Sequence, residues 1–149
     1  MDLSGNLLAL LLALLSGVLM AVQGTMNTAL SKFTGLMETT FIVHLTGTVV
    51  LIISLFVVRM GKGNLGAIVS APWYSWLGGI VGIFIIYLVA ASIPALGVAT
   101  ATTAIIVGQV LTAIIIDHFG IFGMERISCG WNQIVGVILL ALGAKLLLK

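Results

Sequence analysis

Five apolar runs, each close to twenty residues long, dictate what this chain can become. They cover about residues 3–24, 39–58, 73–92, 97–116 and 131–148. About twenty apolar residues in helical form cross the hydrocarbon core of a bilayer. Backbone groups in lipid find no water to bond, so a spanning segment is either a helix or a strand of a closed barrel. Barrel strands alternate lipid-facing and lumen-facing residues, and a stretch such as Leu7–Leu15 has no such alternation. The expected fold is therefore all-α: a polytopic membrane protein with five transmembrane helices, forming a single transmembrane domain over residues 1–149. Composition points the same way. Hydrophobic residues make up 61% of the chain and charged residues 7%, against about 25% charged in a soluble domain. Membrane lipid is the solvent such a surface fits.

Several function classes are excluded early. The net charge is only +2, and four of the six cations lie in or beside loops, so no nucleic-acid partner is expected. Cys129 is the single cysteine, which rules out an internal disulfide. Two histidines and one cysteine, scattered over three segments, lack metal-ligand spacing, so no metal and no cofactor are expected. No nucleophile–base pair is visible, and an enzyme is not expected. Met1–Met20 carries Asp2 where a signal peptide has basic residues, and it reads as a retained first helix.

The breaks between runs are well marked. Arg59, Gly61, Lys62, Gly63 and Asn64 close the second run. Pro72, with Trp73, Tyr74 and Trp76, opens the third, and these aromatics suit the membrane interface. Pro94 and Gly97 predict a tight link that makes the third and fourth helices antiparallel neighbours. Small residues recur at helical spacing, as at Ala9, Ala13, Gly17 and Ala21, or Gly78 and Gly82. Such stripes are packing seams between helices in lipid.

Five spans place the termini on opposite faces. One face then holds Arg59, Lys62 and Arg126; the other holds Lys32, Lys145 and Lys149. Orientation normally follows an excess of Lys and Arg on the cytoplasmic side. Three against three gives almost no bias. Two opposed copies, an antiparallel homodimer, or a heterodimer with an oppositely inserted homologue, would rebuild the inverted repeat used for alternating access. The alternative is one fixed orientation decided by the Arg59/Lys62 loop.

Polar groups within a membrane are costly and mark pathways or bundle interiors. Gln23 and Asn27, four residues apart, share a face if the first helix continues past Gly24 toward Lys32. Tyr87 lies midway along the third run. Thr102 and Gln109 lie near one face of the fourth. These five are the candidate substrate-binding residues, each with interhelical hydrogen bonding as its plainer role. His44, near the start of the second run, is a candidate proton carrier. Asp117 and His118, where the fourth helix emerges, are candidates for gating or proton relay. Asp117 paired with Arg126 is the structural alternative. No acidic residue lies at the centre of any run.

The motifs also carry a resemblance. Ile93-Pro94-x-x-Gly97-x-Ala99-x-Ala101 resembles the helix opening shared across the drug/metabolite transporter superfamily. Gly123-x-Glu125-Arg126-Ile127-Ser128, followed by Gln133, Gly136 and Gly143, resembles its loop and last helix. More narrowly, Gln23-Gly-x-x-Asn27, Gly108-Gln109 and Asp117-His118-Phe119-Gly120 resemble the short, five-helix YdcZ-type family over nearly the whole chain. The resemblance implies a small inner-membrane secondary transporter, an exporter of a small organic solute, built as half of an inverted-repeat fold. It also implies operation as an antiparallel homodimer or with a homologous partner. The first-helix glutamate of the small multidrug resistance proteins has no counterpart, since the matching region reads Ala21-Val-Gln23-Gly24-Thr25. Proton-coupled multidrug export is therefore not carried over. The competing expectation is a non-transporting subunit or assembly factor of a larger membrane complex.

Overall fold

The computed structural model describes residues 3–147, and every regular element among them is helical. The α-helices are α1 (Leu3–Thr34), α2 (Leu36–Ile52), α3 (Gly78–Leu96), α4 (Val98–Phe119) and α5 (Trp131–Leu147). Four helical segments are long and apolar enough to cross a membrane: Asn6–Thr34, Leu36–Val57, Trp73–Leu96 and Val98–Phe119. Trp131–Leu147 is a shorter apolar helix. Leu148, the expected end of the fifth run, lies outside the described residues, as do Lys149, Met1 and Asp2. The chain is an all-α, polytopic membrane protein.

Burial is inverted relative to a soluble protein. Large apolar side chains such as Leu10, Leu14, Phe41 and Phe84 are exposed, and lipid is what they meet. The buried hydrophobic residues are Ala90, Ile93 and Ala101, while the buried polar ones are Asn27, Thr28, Thr39 and Thr40. Lipid tails are as apolar as leucine, so burying leucine against leucine gains little. Small and polar residues take the inside because close backbone approach and hydrogen bonding are what hold helices together there.

The helix ends settle one open expectation and depart from the others in three places. Of the two ends open to the first helix, about residue 24 or onward toward Lys32, the longer is found: α1 runs unbroken to Thr34, and only Gly35 separates it from α2. Gly24 alone cannot end a helix whose following residues all accept helical geometry. The second helix passes through a wider π turn at Ile53–Val57 before it ends. The third opens with a 3-10 turn, Trp73–Leu77, and continues through Pro94 to Leu96. Pro94 removes one backbone bond, which membrane helices tolerate, so the break falls at Gly97 instead. The fourth helix extends to Phe119, which puts Asp117 and His118 inside its last turn.

The described chain divides into two compact units, Met1–Ala91 and Ser92–Lys149. In the first, α1 packs on α2, and α3 meets α2 through a glycine: a Cβ at Gly82 would lie 3.4 Å from His44 Nε2. In the second, α4 and α5 pair antiparallel. The hydroxyl of Thr100, at the start of α4, donates to the Leu147 carbonyl at the end of α5 (3.0 Å). At the opposite end His118 meets Cys129 (3.2 Å).

Candidate solute-binding site

Hydroxyls in these helices mostly turn back on their own backbone. Thr25 donates to Ala21, Thr28 to Gly24, Thr46 to Ile42, Thr48 to His44, Thr103 to Ala99 and Thr112 to Gly108, all at 2.8–2.9 Å. A serine or threonine can satisfy its proton this way without leaving the helix. Against that background, Gln23, Asn27, Tyr87, Thr102 and Gln109 make no side-chain hydrogen bond among the described residues.

Asn27 is the sharpest case. It is 7% exposed and has no partner. Its amide N and O stay accessible at the surface, because among the described residues no fully buried side-chain N or O lacks a partner. It lines an open groove of about 490 Å³ along α1, together with Ser16, Leu19, Met20, Val22, Gln23 and Met26. The structure thus brings Gln23 and Asn27 to one groove, because α1 continues past Gly24 and residues four apart share a face. Tyr87 is half-buried on α3, in the same unit. Thr102 (half-buried) and Gln109 (exposed) lie on α4 of the second unit.

The polar elbow between α1 and α2 escaped the sequence reading. Gly35 takes φ 94° and ψ 162°, a region open essentially only to glycine. Its N–H donates to the Ser31 carbonyl, and its carbonyl accepts from the Thr39 N–H. The hydroxyls of Thr34 and Thr39 meet at 2.9 Å, and Thr40 donates to the Leu36 carbonyl (2.8 Å). Thr39 and Thr40 are buried, with Thr39 fully so. The available signal was Gly35 followed by Glu38-Thr39-Thr40, a polar cluster behind a single glycine between two apolar runs.

The three gating candidates fall into different settings. His44 Nδ1 sits 2.9 Å from the Thr40 carbonyl. A carbonyl only accepts, so Nδ1 carries the proton and Nε2 is bare in the neutral ring. His118 is the reverse: its Nδ1 accepts from the Cys129 N–H at 3.2 Å, which leaves the proton on Nε2. Around it, Arg126 Nε donates to the His118 carbonyl (2.9 Å), and the Ile127 N–H to the Asp117 carbonyl (2.8 Å). Gly120, at φ 64°, caps α4 and turns the chain into this clamp. The Asp117–Arg126 ion pair is not formed. Arg126 is drawn to the carbonyls that every helix leaves unsatisfied at its C-terminus, and the Asp117 carboxylate has no partner among the described residues.

The family profile described as "Putative inner membrane exporter, YdcZ" matches residues 8–146. This chain belongs to the YdcZ family. It is similar to the "Inner membrane protein YdcZ" of Escherichia coli (strain K12), with 24% identity over 143 residues, covering 95% of this chain and 94% of that one. No solved structure matches. Membership places the chain in the inner membrane as a multi-pass protein.

Proposed function

We propose that this chain is a secondary transporter that exports a small organic solute. The observation that carries this is the set of intramembrane polar groups left without partners. Gln23, Asn27, Tyr87, Thr102 and Gln109 stay unpaired in helices whose other hydroxyls mostly bond their own backbone. Unpaired polar groups in an apolar setting cost free energy. A passing solute is what supplies their partners. In the first unit Gln23 and Asn27 form one contact pair on the α1 groove and Tyr87 is a further candidate contact on α3; in the second unit Thr102 and Gln109 are the candidate contacts on α4.

Alternating access in this reading comes from an antiparallel homodimer, or from pairing with an oppositely inserted homologue. The near balance of cations between the two faces supports it. His44, Asp117 and His118 are the gating groups, with Asp117 the free carboxylate at one mouth. The test is solute flux in proteoliposomes. Gln109→Ala abolishes flux while the protein still folds; unchanged flux for every solute tried sinks the assignment. Tags on both termini, probed for accessibility in whole cells and inverted vesicles, test the pairing. Finding each terminus on both sides supports two opposed copies, whereas one strict orientation requires a separate homologous partner.

A further inference from the structure

We infer that the α1 groove takes an uncharged solute, with an apolar body and an amide or hydroxyl group, in preference to an organic ion. The inference rests on the transport reading in supposing that this groove is where the solute binds.

The lining decides the class. Gln23 and Asn27 each present a carbonyl acceptor and an N–H₂ donor. Neither is committed to a partner, and Asn27 is more than nine-tenths buried on the groove. A pair of free amides matches a group that both donates and accepts. Ser16, about two turns before Gln23, has its proton committed to the Ala13 carbonyl at 2.7 Å, so it presents lone pairs. The remaining walls are Leu19, Met20, Val22 and Met26. Methionine adapts its shape to irregular apolar bodies.

Charge is what the groove does not supply. From Leu3 to Ser31, α1 carries no ionisable side chain. The first is Lys32, five residues past Asn27 and about 7.5 Å further along the axis at 1.5 Å per residue. An ammonium or carboxylate entering the groove would leave its hydration shell and meet amide dipoles only. Burying an unpaired ion costs far more than burying a neutral polar group. An amide or alcohol exchanges its water hydrogen bonds for those of Gln23 and Asn27 with little residual cost.

The experiment uses three probes of nearly one shape: phenylacetamide, phenethylammonium and phenylacetate. Each is titrated into the purified full-length protein in detergent micelles while the melting temperature is followed. Phenylacetamide is expected to give a saturable rise at about tenfold lower concentration than either ion, the value of roughly one good hydrogen bond. The Gln23→Leu/Asn27→Leu double variant is expected to lose that response. Gln23→Glu, which keeps the shape and adds a charge, is expected to move the preference to phenethylammonium. Three outcomes overturn the inference: an ion that stabilises the native protein as well as the amide does, no saturable response to any probe, or an undiminished amide response in the double variant. Flux in proteoliposomes separates this from the transport reading. Amide binding without flux of any solute leaves the groove's chemistry standing and removes the transport role; flux of an ion without amide binding does the reverse.

Discussion

Two single-glycine elbows turn this chain, and they share a backbone. Gly35 sits at φ 94°, ψ 162° and Gly97 at φ 80°, ψ 159°. Each donates its N–H to the carbonyl four residues earlier, Ser31 or Ile93, and each accepts from the N–H four residues later, Thr39 or Ala101. The fourth residue after each glycine is nearly sealed from the surroundings: Thr39 at 0% and Ala101 at 1% exposure. What surrounds the shared frame differs. The Gly35 elbow is closed by side chains, with Thr34 and Thr39 sharing a hydrogen bond and the Glu38 carboxylate folded over the glycine. The Gly97 elbow has a methyl group at its sealed position and open space around the glycine. Its polar tie is Thr100, which reaches out to the end of α5. One turn of backbone is thus finished by hydrogen bonding within itself in one unit, and by docking to another helix in the other.

The largest break in this comparison is expected from the glycines. Gly35→Ala and Gly97→Ala each force an L-residue into a glycine-only region, at a cost of about 2–3 kcal/mol, read as a fall in melting temperature in micelles. The Gly35 variant also moves the flexible Glu38 carboxylate aside, a small added cost. In a Glu38→Ala background the two costs should become equal; a persistent difference would show that the frames are not equivalent. Next, Ala101→Leu overfills a sealed site and costs about 1–3 kcal/mol. Thr39→Ala removes the Thr34 contact for about 1–2 kcal/mol, and Thr39→Ser restores most of it. Smaller again, His118→Ala unties the Cys129 N–H at about 1 kcal/mol. Its clearest readout is faster amide exchange at Cys129, with no change around Gly35. The smallest effect has the opposite sign. Asn27→Leu removes an amide that makes no protein hydrogen bond and leaves stability unchanged or raised by a few tenths of a kcal/mol, while solute flux is lost.

The spans were legible because twenty apolar residues in a row have few physical options. The unpartnered amides were legible too. Gln23, Asn27 and Gln109 have side chains that do not fold onto the preceding turn as a threonine does, so their polarity stays available. Where the helices end was harder to read. Gly24, Gly35, Gly97 and Gly108 look alike in the sequence, yet only Gly35 and Gly97 take positive φ. Pro94 has the form of a helix stop and acts as none, because the bond it removes is one among many in a long helix. The elbow threonines were hidden by their ordinariness. Thr39 and Thr40 gain their place from Gly35, and the angle at Gly35 is a property of the folded pair α1–α2. The Asp117–Arg126 pair looked natural from charge alone; the open carbonyls at the end of α4 compete for the same guanidinium and win.

The length of α1 has a consequence of its own. Thirty-two residues at 1.5 Å each make a rod of about 48 Å, while the hydrocarbon layer is about 30 Å thick. Standing upright with Leu3 at one edge of that layer, such a rod carries Gln23 about 30 Å along, to the far edge, and Asn27 about 6 Å beyond it among the headgroups. Leaning steeply, it draws them into the oil. The angle of one helix thereby sets how wet its two amides are, and a thinner or thicker bilayer changes that angle. Vesicles made from lipids of graded chain length would shift how readily the groove trades water for solute, with no change to any residue in it.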